Sequence, residues 1–99
     1  MNEEQAKLEL GKLRDGIDEV DRKLIDLLNQ RTRFVEAIGA VKRTYGLPVY
    51  EPKREDDVYA NIAAHNGGPI PQDSAKRVFE RIIDEMRTLQ RNRMNQENK

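Results

Sequence analysis

A chain of 99 residues, 36% charged and 5% aromatic, has room for one small domain with a thin core and a charged exterior. Eighteen Lys and Arg balance eighteen Asp and Glu, which argues against a nucleic-acid binder with its basic excess on one face. Cysteine is absent, and this excludes a disulfide framework, a thiol nucleophile and a thiolate metal site.

The chain opens with "MNEEQAKLEL", which lacks the basic start and apolar core of a secretory signal. No run is long and apolar enough to span a membrane, so a soluble cytoplasmic protein is expected. A first helix is predicted from about Gln5 to about Tyr45. Leu10, Leu13, Ile17, Val20, Leu24, Leu27, Arg31, Phe34, Ile38, Val41 and Tyr45 follow one another in alternating steps of three and four. That is the seam of a helix that packs on other helices. Roughly 40 residues make a helix about 60 Å long at ~1.5 Å per residue. A compact domain of this size has a radius of gyration of about 13 Å. Two further short helices cannot cover such a seam, and a second copy of the chain is expected to do so in a two-fold dimer. Gly11 and Gly16 are the places where the helix could break, but an interior Gly costs only about 1 kcal/mol against Ala.

"YGLP" ends this helix, with Gly46 as a C-cap and Pro48 unable to continue it. The second helix starts around "EPKRED", where Pro52 suits a first helical position. Val58 and Ile62 form its apolar side, and it stops before the loop "HNGGPIP". The third begins near "QDSA", with Asp73 or Ser74 as N-cap. Its seam is Ala75, Val78 or Phe79, Ile82, Met86 and Leu89, and it ends in "RNRMNQENK". The expected fold class is all-α: three helices, long, short and medium.

Polar groups interrupt these apolar faces. Arg31 sits on the seam of the first helix. Lys42 follows it by 11 residues and returns to nearly the same face, about 16 Å further along. Glu51 and Glu55 extend the Val58–Ile62 line backward, and Gln90 follows Met86 by four. Charges buried without partners cost several kcal/mol each, so these groups must meet something. One reading is internal: Glu55 paired with Arg31 or Lys42, and Gln90 filling a hydrogen bond. The other is a small anionic ligand held by Arg31 and Lys42. Arg14 flanks the seam 17 residues before Arg31, about 25 Å along a straight helix. It could share a ligand only with Arg31 of the other chain in an antiparallel dimer. His65, the one histidine, reads as a surface cap, and no ligand cluster for a metal is visible. "GG" at 67 and 68 follows a helix and not a strand, so it is no phosphate loop.

With these residues in place, the chain resembles an all-helical chorismate mutase. The likeness runs from about Leu10 to about Gln90, through "LRDGIDEVDRKLIDLLNQR", "VEAIGAVK", "GLPVYEPKRE" and "IIDEMRTLQ". The ordered set of Arg14, Arg31, Lys42, Arg54-Glu55 and Gln90 carries it. The resemblance implies a single domain over residues 1–99, with its core at about 8–92, in an intertwined homodimer. It implies rearrangement of chorismate to prephenate in phenylalanine and tyrosine biosynthesis, with no cofactor and no metal. Arg31 and the Arg14 of a partner chain would bind the two carboxylates of chorismate. Lys42 and Gln90 would bond the ether oxygen, and Glu55, with Glu51 near it, would accept from the ring hydroxyl. Arg54 would support the carboxylate end. Many relatives carry a small hydroxyl residue where this chain has Met86, so one polar ligand contact there is expected to be lost or replaced by packing. An isochorismate–pyruvate lyase shares the fold and several of the cations. A dimeric helical adaptor without chemistry would explain the seam but not the four polar positions together.

Overall fold

The computed structural model describes residues 2–97. Three helices follow in order: α1 (Glu3–Tyr45), α2 (Pro52–His65) and α3 (Gln72–Glu97). Two compact units divide the chain, Met1–Phe34 and Val35–Lys99, and the boundary falls within α1.

The first unit is helical. A reciprocal capping box opens it: the Gln5 N–H donates to Oδ1 of Asn2 (2.8 Å) and the Asn2 N–H donates to Oε1 of Gln5 (3.0 Å). Gly11 and Gly16 do not interrupt α1. Leu10, Leu13, Ile17, Val20, Leu24 and Leu27 are all exposed on the single chain.

The second unit holds the end of α1, then α2 and α3. Gly46 takes φ +66°, and the Leu47 N–H donates to the Lys42 carbonyl (2.8 Å). This is a Schellman cap, and it ends α1 where "YGLP" predicts. Pro52 occupies the first turn of α2, as expected. Between α2 and α3, Asn66 organises the turn. Its Nδ2 donates to the Ile70 carbonyl (2.9 Å) and to Oε1 of Gln72 (3.0 Å), and its Oδ1 accepts from the Gly68 N–H (3.0 Å). Gly68 has φ +78°, a conformation that other residues resist. α3 begins at Gln72, where "QDSA" predicts, and the Ala75 N–H donates to the Pro71 carbonyl (3.0 Å), so its first turn starts ahead of the expected caps. Asp73 and Ser74 therefore lie inside its first turn and are not its N-cap.

α2 packs on α3. Ala75 and Ile83 are buried, and Val58, Ile62, Phe79, Ile82, Met86 and Leu89 are half-buried. Phe79, not Val78, takes the inward place. The face of α1 that turns inward in this unit also differs from the predicted seam. Val35, Gly39 and Lys42 are the less exposed positions, while Ile38, Val41 and Tyr45 face solvent, Tyr45 at 74% exposure. The line Val35–Gly39–Lys42, and not the Ile38–Val41–Tyr45 end of the predicted seam, is the one covered in this unit. Gly46→Ala is expected to cost about 1–2 kcal/mol by placing a Cβ in the left-handed region. In urea denaturation the midpoint should fall with an unchanged m-value.

Candidate functional site

Lys42 stands in the last turn of α1 and is only 8% exposed. The Gly46 turn brings the following segment back across it. Its Nζ donates to the Val49 carbonyl (3.0 Å) and pairs with Oε1 of Glu51 (2.8 Å). An ammonium has three N–H groups, so one remains to donate elsewhere.

Glu51 is the residue just before α2, but its carboxylate makes no capping bond to that helix. It is committed to Lys42. That hydrogen bond, and then the Lys42 charge, hold the Glu51 carboxyl below the ordinary carboxylate range; partial burial opposes the shift and the Arg54 charge adds to it. Arg54 itself is exposed.

Gln90 is likewise 8% exposed. Its Nε2 crosses from α3 to donate to the Val35 carbonyl on α1 (3.1 Å). A Cβ at Gly39 would sit in ordinary contact with Cγ of Gln90, 3.7 Å away, and closer, at 3.2 Å, to Nη1 of Arg43, the end of a flexible side chain. Near the end of α3, Arg93 pairs with Glu36 (3.1 Å) and adds a second tie between these helices.

Glu55 does not take Lys42, one of the partners expected for it. Lys42 goes to Glu51, and Oε2 of Glu55 pairs with the guanidinium of Arg87 on α3. Arg87 also lies over the Tyr50 ring, 4.8 Å from its centroid, and 3.8 Å from Asp84. Its Glu55 bond raises the pKa of an already strong base. The sequence carried no signal for this pair, because 32 residues separate its members and a lone Arg on a charged helix reads as surface.

Met86 is half-buried on α3, and Arg31 is half-buried on α1. Arg14 is exposed. Arg14 and Arg31 belong to the Met1–Phe34 unit; Lys42, Glu51, Arg54, Glu55, Met86 and Gln90 belong to the other. His65 bonds the Asn61 carbonyl in its own helix (3.0 Å), as a local cap does. Among the described residues, no group of three or more His, Cys, Asp or Glu side chains could hold a metal ion, and no helix is long and apolar enough to cross a membrane.

Residues 13–91 match the family model described as chorismate mutase type II. The chain belongs to that family. It is 41% identical over 81 residues to the T-protein of Enterobacter agglomerans, covering 81% of this chain and 22% of that one. It is 32% identical over 87 residues to the bifunctional chorismate mutase/prephenate dehydratase of Aquifex aeolicus, covering 84% and 24%. It thus spans about a quarter of the length of these relatives. The chorismate mutase of Methanocaldococcus jannaschii is 27% identical over 86 residues, with 83% of this chain and 84% of that one covered. Among solved structures, form II of the chorismate mutase from Thermus thermophilus superposes with a TM-score of 0.82 at 35% identity, covering 84% of this chain and 94% of that one. An all-α chorismate mutase fold of three helices is the architecture these comparisons share with the chain.

The Lys42–Glu51 pair has a consequence for acid stability. A carboxyl whose folded pKa is lowered contributes stability above its unfolded value, about 4.3 for Glu, and loses that contribution as pH falls through the lowered value. Glu51→Gln should therefore melt below wild type at pH 7, and the gap should close on acidification. A gap unchanged down to about pH 2.5 would contradict the ion-pair account.

Proposed function

We propose that this chain converts chorismate to prephenate, as a cytoplasmic homodimer, without metal or cofactor. The observation that carries the reading is Lys42. It is a buried ammonium, held by Val49 and Glu51 with one N–H left over, in a chain of the chorismate mutase type II family.

The reaction is an intramolecular pericyclic rearrangement, so no nucleophile is required. The site must first hold the substrate folded with its reacting carbons close together. Negative charge then grows on the ether oxygen as its bond to carbon stretches. The spare N–H of Lys42, together with the amide of Gln90, stabilises that charge. Arg31 and the Arg14 of a partner chain bind the two substrate carboxylates. Glu55 accepts a hydrogen bond from the ring hydroxyl, with Glu51 near it, and Arg54 supports the carboxylate end. Met86 supplies packing in place of a polar contact. The exposed apolar series on α1 supports a second copy of the chain as the partner. An antiparallel pairing would carry Arg14 across the length of helix that separates it from its own Arg31.

The deciding experiment follows chorismate by ultraviolet absorbance and identifies the product. Saturable loss of chorismate with prephenate formed is expected. Loss of isochorismate with release of pyruvate, and none of chorismate, would overturn the mutase reading in favour of a lyase. Lys42→Ala should lower kcat roughly 10²–10³-fold, the usual loss for one donor to a developing oxyanion. Arg31→Ala should act mainly on KM. The rate should be flat with pH near neutrality, because the Gln90 amide does not titrate.

A further inference from the structure

Arg87 stands one turn before Gln90 on α3, and three segments converge on its guanidinium. Glu55 of α2 pairs with Nη2 through Oε2. Tyr50, from the segment that precedes α2, lays its ring 4.8 Å from the guanidinium carbon. Asp84, on the same helix as Arg87, stands 3.8 Å from Nη1. The Glu55 and Arg87 side chains are each only 22% exposed. A guanidinium stacked on a ring and bonded at its edge has little rotational freedom left. The carboxylate bound to it is held equally still. A carboxylate accepts at two oxygens, so engagement of Oε2 leaves Oε1 of Glu55 as an oriented acceptor.

We propose that Arg87 is a positioning residue for Glu55: it fixes that carboxylate so that Oε1 receives the ring hydroxyl of the substrate. The inference rests on the mutase reading above. Arg87 does not touch the substrate in this scheme. The ring hydroxyl is not a reacting group, so its bond to Glu55 is alike in the ground state and the transition state. Loss of such a bond raises KM and leaves kcat nearly unchanged. A simple tie between α2 and α3 would shift the melting temperature and leave KM alone.

The test is steady-state kinetics with chorismate on wild type, Arg87→Met, Arg87→Lys, Glu55→Gln and the double variant Glu55→Gln/Arg87→Met, each well below its melting temperature. Arg87→Met should raise KM roughly tenfold with kcat within about threefold of wild type. Arg87→Lys should recover part of the loss, since it keeps the charge but not the planar fork. The double variant should be no worse than Glu55→Gln, because the two residues act as one unit. A wild-type KM in Arg87→Met overturns the proposal, and so does a full Arg87→Met effect on top of Glu55→Gln. Should Arg87→Met fail to fold by circular dichroism, Tyr50→Leu carries the same test: a raised KM supports the positioning role, and an unchanged one overturns it. Wild-type protein that leaves chorismate untouched overturns the mutase reading, and this inference with it. That result is distinct from an active wild type that is indifferent to Arg87.

Discussion

A lysine ammonium taken out of water is the constraint around which the Val35–Lys99 unit is arranged. Desolvating an ammonium costs several kcal/mol unless good partners replace the lost water. Lys42 has two, the Val49 carbonyl and the Glu51 carboxylate, and both lie in the segment just after its own helix. They reach it only because the chain reverses at once. Gly46 makes the reversal by adopting φ +66°, and the Leu47 N–H returns to the carbonyl of Lys42 itself. Lys42 thus ends α1 with its backbone and anchors the next segment with its side chain. Pro52 follows Glu51 directly, so the start of α2 is placed by the same ion pair.

From that anchor, α2 presents two carboxylates one turn apart, each matched by a cation from a different helix. Glu51 meets Lys42 of α1, and Glu55 meets Arg87 of α3. The apolar core available to these helices is thin, with Ala75 and Ile83 its buried members among the described residues. Directional polar contacts therefore carry much of the alignment. Gln90 adds a third, crossing from α3 to the Val35 carbonyl of α1. A partly buried network of this kind is rigid when each member is satisfied and costly when one is removed. The same property suits groups that must hold fixed directions toward a small charged substrate.

The long helix distributes its side chains against the usual expectation. Along the part of α1 that belongs to this unit, the covered positions are Val35, Gly39 and Lys42, while Ile38, Val41 and Tyr45 stand in solvent. Within the Met1–Phe34 unit the regularly spaced Leu, Ile and Val residues are exposed as well, and Phe34 reaches 72%. A contiguous apolar stripe of this length is uncommon on a protein that works alone. It is consistent with the two-chain assembly proposed above, in which the stripe becomes interior.

The sequence by itself determined the three helices and where α1 and α2 stop. Those features follow from local rules: a period of three and four, a Gly that tolerates positive φ, a Pro placed at a first turn. It also singled out Lys42, Glu51, Glu55 and Gln90, because a charge or amide on an apolar face stands out against its neighbours. Tertiary structure decided which of them meet. Glu55 pairs with Arg87 and not with Lys42, since ion pairing depends on how α2 and α3 are juxtaposed, and no periodicity encodes contact between residues 32 apart. Tertiary structure also decided that the line Val35–Gly39–Lys42, and not Ile38, Val41 and Tyr45 of the predicted seam, is the face of α1 covered in the Val35–Lys99 unit. Hydrophobic spacing says that a face will be buried; it does not say whether this chain or another will bury it.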